Sequence, residues 1–170
     1  MQPDGVTFGH LVSVVRVFTM KPIGVVRSPR TDVVDDRWGD VVATIELSPQ
    51  ELEPSATDGL AEFSHLEVVF LFDRVTDAMI VRGARHPRDN PDWPVAGVLA
   101  QRGKNRPNRL GVSRCELVAV EGLTLTVRAL DAIDGTPVLD IKPYLVEFAP
   151  RGDVRQPAWS AELMSAYYSS

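Results

Sequence analysis

The feature that most constrains the fold is a series of short β-type segments with no helix-length segment between them. The clearest run from Val41 to Leu47, from His65 to Phe72, from Val112 to Val120 and from Leu123 to Leu130. They are rich in β-branched and apolar residues, and several alternate apolar with polar positions, as strands do. Six or so such strands predict a mostly β fold, a small closed or nearly closed β-barrel with short helices.

Other segments complete this prediction. His65 to Phe72 is apolar at almost every position, which indicates a central strand buried on both faces. Glu121-Gly122 is typical of a hairpin turn between two strands. The segment from Val138 to Phe148 contains Pro143, which predicts an edge strand or an extended segment. Residues 158–168 place apolar side chains at helical spacing, so a C-terminal helical tail is expected.

The 170 residues, 44% of them apolar, are enough for one domain with a real core. Met20 opens a segment typical of a natural protein start. We therefore expect residues 1–19 to be an N-terminal extension, either non-native or poorly ordered, and residues 20–170 to form a single domain. The apolar stretches are shorter than the roughly 20 residues of a membrane span. The single cysteine, Cys115, excludes an internal disulfide, and a cytoplasmic location is expected.

Charge is distributed unevenly along the chain. The net charge of −5 argues against binding nucleic acid by bulk electrostatics. Residues 102–114, however, contain no acid and five cations: Arg102, Lys104, Arg106, Arg109 and Arg114. Side chains of this kind donate hydrogen bonds to carboxylate or phosphate oxygens. We expect an anionic partner to meet the protein there, although a solvated basic turn would give the same pattern.

A second loop, residues 131–144, concentrates carboxylates around an Asp-Gly turn. Asp131, Asp134 and Asp140 could serve a metal site, hydroxyl recognition or the capping of turns. Their spacing is not that of an EF-hand, and no His or Cys lies among them, so no metal is predicted. The sequence contains neither GxGxxG nor GxxxxGK[ST], and no serine lies in a nucleophile elbow. Doubly wound dinucleotide folds, P-loops and hydrolase chemistry are therefore not indicated.

These two loops, together with the first strand, carry a family resemblance. The segments concerned run from Ile23 to Pro29, from Leu60 to Leu66, from Arg106 to Ser113 and from Leu130 to Tyr144. They resemble the TsaA-like family, which includes the TrmO-type tRNA methyltransferases that N6-methylate threonylcarbamoyladenosine 37 of tRNA. Two departures fall near the implied pocket. Asp73 stands where the family commonly has a histidine, and Arg109 stands where it has a proline.

The resemblance implies a β-barrel that binds S-adenosyl-L-methionine near the interface of a homodimer. The cofactor contacts carried over by position are Asp73, Arg74, Arg102, Val112, Ala129, Leu130 and Asp131. An arginine can pair with the methionine carboxylate, and an aspartate can accept from ribose hydroxyls or from the ammonium group. Backbone groups and the Leu130 side chain are candidates to hold the adenine.

Methyl transfer requires mainly that the acceptor be aligned with an already electrophilic carbon and that water be excluded. The candidates to orient an acceptor nitrogen are Asn108, Asp134, Lys142 and Tyr144, each of which could equally be loop structure. For a tRNA substrate, the expected binding cations are Lys104, Arg106 and Arg109. The sequence leaves two alternatives open, a methyltransferase for a small metabolite and a module that binds the cofactor without turnover.

Overall fold

The computed structural model describes residues 17–169, and most of the expected N-terminal extension lies outside them. The strands are β1 Gly24–Arg27, β2 Val42–Leu47, β3 His65–Leu71, β4 Ala84–Arg85, β5 Ala96–Gly97, β6 Leu110–Glu121, β7 Thr124–Arg128 and β8 Pro137–Pro143. Single 3-10 turns span Pro54–Thr57, Leu60–Glu62, Asp77–Met79, Pro87–Asp89, Val98–Ala100 and Val146–Phe148, and one α-helix, α1, spans Ala158–Met164. No helix within residues 17–169 combines the length and apolarity that crossing a bilayer requires.

Six of the strands close into a barrel in the order β1-β2-β7-β6-β3-β8, with β8 pairing back onto β1. All of these pairings are antiparallel. The prediction of a mostly β fold built as a closed barrel is thereby confirmed. Closure leaves no free edge strand in the barrel. The short strands β4 and β5 pair separately, within the long connection between β3 and β6.

Residues 138–148 were predicted to form an edge strand or an extended segment, and the edge position is wrong. β8 pairs with β3 on one side and with β1 on the other. Pro143 is the last residue of β8, where it stands opposite Leu66. At a strand end the missing N–H of proline disturbs few ladder bonds, so the strand can still lie inside the barrel.

β3 is central, as predicted, but it is not buried on both faces. Leu66, Val68 and Phe70 are buried, whereas the residues between them are half-buried. This alternation is typical of a barrel strand that turns one face inward. The inward faces of all six strands form one core, whose fully buried members include Val26, Ile45, Leu66, Val68, Leu125, Val127, Leu130 and Val138.

The hairpin and the tail are close to expectation. Glu121 pairs with Thr124, so the β6–β7 turn consists of Gly122 and Leu123, one residue later than predicted. Gly122 has φ of 56°, a left-handed conformation that glycine adopts without steric cost. The helix of the tail ends at Met164 rather than continuing to residue 168.

Cys115 is buried in the barrel core and behaves as a small apolar residue. Its relative exposure is 1%, and burial, followed by the charge of Asp131, raises the pKa of its thiol to about 12 from 9.0. The thiol is therefore neutral across the physiological range and poorly placed to act as a nucleophile. This placement agrees with its sequence position on a strand.

Cys115 predicts a loss of stability at alkaline pH. Because the folded state holds the thiol protonated, its contribution is complete below about pH 9 and is lost progressively as the pH rises towards about 12. The slope is up to about 1.4 kcal/mol per pH unit. We expect urea melts of the Cys115→Ala variant to show a flatter decline between about pH 9 and about pH 11 than the wild type. Parallel declines would contradict this assignment.

Candidate functional site

A groove of about 1240 Å³ opens where one end of the barrel meets a basic loop and the C-terminal tail. The basic loop is residues 102–109, and the tail is residues 158–169. Further walls come from residues 70–75 at the end of β3 and residues 131–133 after β7. Because β3 and β6 are antiparallel, the end of one and the start of the other lie at the same barrel end. The topology thus brings distant loops together.

Five of the seven predicted cofactor contacts line this groove, namely Asp73, Arg74, Arg102, Val112 and Asp131. The other two lie behind its wall. Leu130 is fully buried in the barrel core and does not line the groove. Ala129 has φ of 62°, and its N–H donates to the Val41 carbonyl at 2.9 Å. Both residues therefore fix the path of the chain into Asp131.

The two carboxylate oxygens of Asp131 differ in their hydrogen bonding. Its Oδ2 accepts a hydrogen bond from the Tyr167 hydroxyl, whereas its Oδ1 is buried without a partner in the structure. The hydroxyl of Ser113, a groove residue with 3% relative exposure, is likewise buried and has no hydrogen-bond partner of regular geometry within residues 17–169. Buried polar atoms are nearly always satisfied in folded proteins. Two such atoms in one groove indicate a place where a ligand supplies hydrogen-bonding groups.

Two phenols of the tail surround this carboxylate. Burial first, and the charge of Asp131 second, raise the pKa of Tyr167 and of Tyr168. Both phenols are therefore protonated at neutral pH, and Tyr167 is the donor to Asp131. Ser113 lies close enough to Tyr168 to lower the pKa of that phenol, yet no hydrogen bond of regular geometry joins the two.

The groove is locally richer in positive than in negative side chains, in contrast to the whole chain. Its cations are Arg74, Arg85, Arg88, Arg102, Lys104, Arg106 and Arg114. Its carboxylates are Asp35, Glu67, Asp73, Asp89 and Asp131. Four of the cations have carboxylate partners, in the pairs Arg85–Asp89, Arg88–Asp36, Lys104–Asp35 and Arg114–Glu67.

The other three cations form no ion pair within residues 17–169. Arg102 donates to the Val112 carbonyl at 2.7 Å, and Arg106 donates to the Gln101 carbonyl at 3.3 Å. Arg74 donates to the Thr31 carbonyl at 2.8 Å. A guanidinium that binds only carbonyl oxygens keeps its charge and further N–H groups available for an anion. The groove therefore offers an acceptor in Asp131 and anion-binding donors around it.

Two of the three predicted substrate-binding cations line the groove. Lys104 and Arg106 line the groove, whereas Arg109 does not. Arg109 donates to the Val75 carbonyl at 2.7 Å and lies 3.7 Å from Asp77. Its φ of 53° is closed to proline, whose ring fixes φ near −65°. Arg109, where the family pattern has proline, therefore adopts a backbone conformation that proline cannot adopt.

The structure does not bring the candidate acceptor-orienting residues together. Asn108 lines the groove, whereas the remaining three lie elsewhere. Asp134 accepts from the Ser28 amide at 3.1 Å, and Lys142 pairs with Asp140 on the outside of β8. The Tyr144 ring lies 4.8 Å beneath the Arg114 guanidinium. Within residues 17–169 there is also no group of three or more potential metal-ligating His, Cys, Asp or Glu side chains.

Several groove residues were not identified from the sequence. Trp38, Ser113, Trp159 and Tyr168 all line it, as does Tyr167. The sequence signal for the tail was the one-sided spacing of its apolar residues, which predicted packing without saying against what. The residues next to Trp38 in sequence do not predict its burial. Trp38 is 3% exposed, and the guanidinium of Arg30 stacks 4.5 Å from its indole ring.

Comparison with known proteins identifies the family of this chain. The family described as the tRNA-methyltransferase O N-terminal domain matches residues 28–149. A probable S-adenosyl-L-methionine-binding protein of Pyrococcus abyssi is 35% identical over 141 residues, covering 79% of this chain and 72% of that protein. The tRNA (adenine(37)-N6)-methyltransferase of Escherichia coli is 36% identical over 137 residues, covering 75% of this chain and 58% of that enzyme.

Solved structures give the same family. The crystal structure of TrmO from Pseudomonas aeruginosa superposes with a TM-score of 0.66 at 30% sequence identity. The match covers 82% of this chain and 62% of that one. The chain thus spans less than two thirds of the length of this structure and of the E. coli enzyme.

Proposed function

The chain belongs to the tRNA-methyltransferase O N-terminal domain family, and from that premise we propose that it is an S-adenosyl-L-methionine-dependent tRNA methyltransferase. The proposed acceptor is N6 of threonylcarbamoyladenosine 37. In the overall reaction the N6–methyl bond forms, the sulfur–methyl bond breaks, and N6 loses its proton. Support comes from relatives named as binding this cofactor and as methylating adenine 37.

The observation that carries the proposal is that one groove contains a carboxylate oxygen without a hydrogen-bond partner, Asp131 Oδ1, together with cations that form no ion pair within residues 17–169. The cofactor is a zwitterion with ribose hydroxyls, so it needs acceptors for its ammonium and hydroxyl groups and a cation for its carboxylate. Asp131 Oδ1 and Ser113 Oγ would receive the donors, and Arg102 would bind the carboxylate. When bound, S-adenosyl-L-methionine supplies an electrophilic methyl carbon.

The residues of this chain would then act by binding and alignment rather than by acid–base chemistry. Arg74 and Arg106 are the other groove cations that form no ion pair within residues 17–169. Arg106, together with Lys104, would contact tRNA phosphates. Asn108 is the one acceptor-orienting candidate that lines the groove. Its amide can both donate to and accept from the base. We assign it the role of orienting N6.

Exposed apolar side chains at the groove rim support the proposal that the protein acts as a homodimer. Leu99 is 83% exposed and Val112 is 44% exposed, and both line the groove. A second copy covering them would also complete the groove wall. With tRNA as its substrate, the proposed location is the cytoplasm.

The Arg102→Ala variant is expected to bind S-adenosyl-L-methionine about tenfold more weakly than the wild type in calorimetric titration, because it removes one charge-assisted contact. The matched control is Arg128→Ala. Arg128 pairs with Glu116 at 3.1 Å on the β6–β7 hairpin and does not line the groove. We expect the control to bind as the wild type does. Equal affinity in all three proteins would show that Arg102 does not contact the cofactor.

The acceptor is tested by transfer of a labelled methyl group from S-adenosyl-L-methionine. We expect incorporation into tRNA that carries threonylcarbamoyladenosine 37 and none into tRNA that lacks this modification. Equal labelling of both tRNAs would point to another base. Cofactor binding with no labelling of any tRNA would favour a small-molecule acceptor or a binding module without turnover.

A further inference from the structure

The C-terminal tail lines the groove although it lies outside the matched family segment, residues 28–149. Backbone hydrogen bonds dock it on the segment before β2. The Arg37 amide donates to the Ala166 carbonyl at 3.0 Å, and the Trp38 amide donates to the Tyr167 carbonyl at 2.8 Å. A Cβ at Gly39 would lie 2.2 Å from the Tyr168 carbonyl oxygen, so the two backbones are in close contact. The tail is therefore held by main-chain geometry.

This docking places one tail side chain on the carboxylate that the cofactor is proposed to use. The Tyr167 hydroxyl donates to Asp131 Oδ2, across 36 residues of sequence. A hydrogen bond to an ionised carboxylate is stronger and more directional than one between neutral groups. Held at one oxygen, the Asp131 side chain has a fixed orientation, and its Oδ1 stays within the groove wall.

The tail forms a wall of the groove rather than a plug in it. With the tail in place, the groove still measures about 1240 Å³, and Asp131 Oδ1 and Ser113 Oγ remain without partners. A segment that filled the ligand position would be expected to satisfy these atoms. The Tyr167 contact leaves the other carboxylate oxygen, Oδ1, without a hydrogen-bond partner within residues 17–169.

We propose that the tail is an integral wall of the cofactor site and that Tyr167 is a positioning residue. By donating to Oδ2, it holds Asp131 so that Oδ1 accepts a hydrogen bond from the ammonium or a ribose hydroxyl of the cofactor. This inference rests on the proposed function, since it assigns a further residue to the same site. It extends the site beyond residue 149, into a segment that the family match does not include.

The test is calorimetric titration of the full chain with S-adenosyl-L-methionine, comparing the wild type with Tyr167→Phe and Glu162→Ala. Tyr167→Phe removes only the hydroxyl, and we expect the Kd to rise about tenfold. Glu162→Ala removes another side-chain hydrogen bond between the tail and a distant part of the chain, the 2.9 Å bond from Trp93 Nε1, and Glu162 does not line the groove. We expect this control to bind within about twofold of the wild type. The melting temperature of each ligand-free protein is recorded alongside.

A purely structural role for Tyr167 would lower the melting temperature of the ligand-free protein and would be reproduced by Glu162→Ala. Equal loss of affinity in both variants would therefore overturn the proposal. So would an unchanged Kd in Tyr167→Phe, or a lower one, which would identify the tail as an obstruction. In these cases the proposed function stands. If the wild type itself does not bind S-adenosyl-L-methionine, the proposed function fails, and this assignment fails with it.

Discussion

Replacing Asp131 with alanine is expected to weaken binding of S-adenosyl-L-methionine by about a hundredfold or more. The substitution deletes both carboxylate oxygens at once. Oδ1 is the buried acceptor without a protein partner, and Oδ2 is the acceptor of the Tyr167 hydroxyl. Each hydrogen bond to a charged group is worth about 1.5–3 kcal/mol, and the phenol would be left without its acceptor. Calorimetric titration of the variant measures the loss.

The control for this substitution is Asp140→Ala. Asp140 lies on β8, where its carboxylate pairs with Lys142, and it does not line the groove. Exposed pairs of this kind contribute little to stability, so we expect both the affinity and the melting temperature to stay near the wild-type values. If the Asp131→Ala protein is folded and its Kd lies within about threefold of the wild-type value, Asp131 does not contact the cofactor.

Asp131→Asn separates the charge of the side chain from its shape. The amide keeps one oxygen acceptor but cannot accept at both positions, so one of Tyr167 and the ligand loses its partner. We expect an affinity between those of the wild type and Asp131→Ala. Calorimetry on the three proteins at one pH gives this order, and an affinity for Asp131→Asn equal to that of the wild type would show that the negative charge is not used.

The barrel was predictable from the sequence because its signals are local. β-branched runs, turn residues and short spacing identify strands without knowledge of their partners. Where pairing decides the outcome, the prediction was wrong. Pro143 suggests an edge when read alone, but it falls on the last residue of a strand that has neighbours on both sides. The near-continuous apolar run of β3 likewise concealed an alternating burial pattern.

The site was only partly predictable, for a related reason. The basic loop and Asp131 are marked by their own composition, and both line the groove. Tyr167 is not marked, because its role depends on the docking of the tail against the backbone at Trp38. Asp134 and Tyr144 lie in the same sequence loop as Asp131 but do not line the groove. Their closeness to Asp131 in the sequence therefore did not predict closeness in space.

Replacing Gly111 with alanine is expected to destabilise the fold by about 3 kcal/mol. A Cβ at this position would lie 2.3 Å from the ring of Phe70, its cross-strand partner. Phe70 is almost fully buried and packs edge-to-face on Phe72, with ring centroids 5.2 Å apart. The ring therefore cannot keep its position beside the added Cβ, and a shift disturbs its packing on Phe72. Urea denaturation of the variant and the wild type measures the change in the free energy of unfolding.

The control is Gly97→Ala. Gly97 has φ of −61°, which any residue adopts, and an added Cβ would meet no atom within 4 Å. We expect this variant to unfold within about 0.5 kcal/mol of the wild type. If Gly111→Ala were equally stable, the Phe70 ring would not be fixed over the glycine.

Gly111→Ala also tests how closely the barrel core and the groove are coupled. Gly111, Phe70 and Phe72 all line the groove, and Phe70 also belongs to the barrel core. A ring displaced by the new methyl group would move into the groove, since the opposite side is closely packed core. We therefore expect Gly111→Ala to weaken cofactor binding as well, even under conditions where the variant is fully folded. Calorimetry well below the melting temperature decides this. Unchanged affinity in a destabilised variant would mean that the ring is displaced along the barrel wall instead.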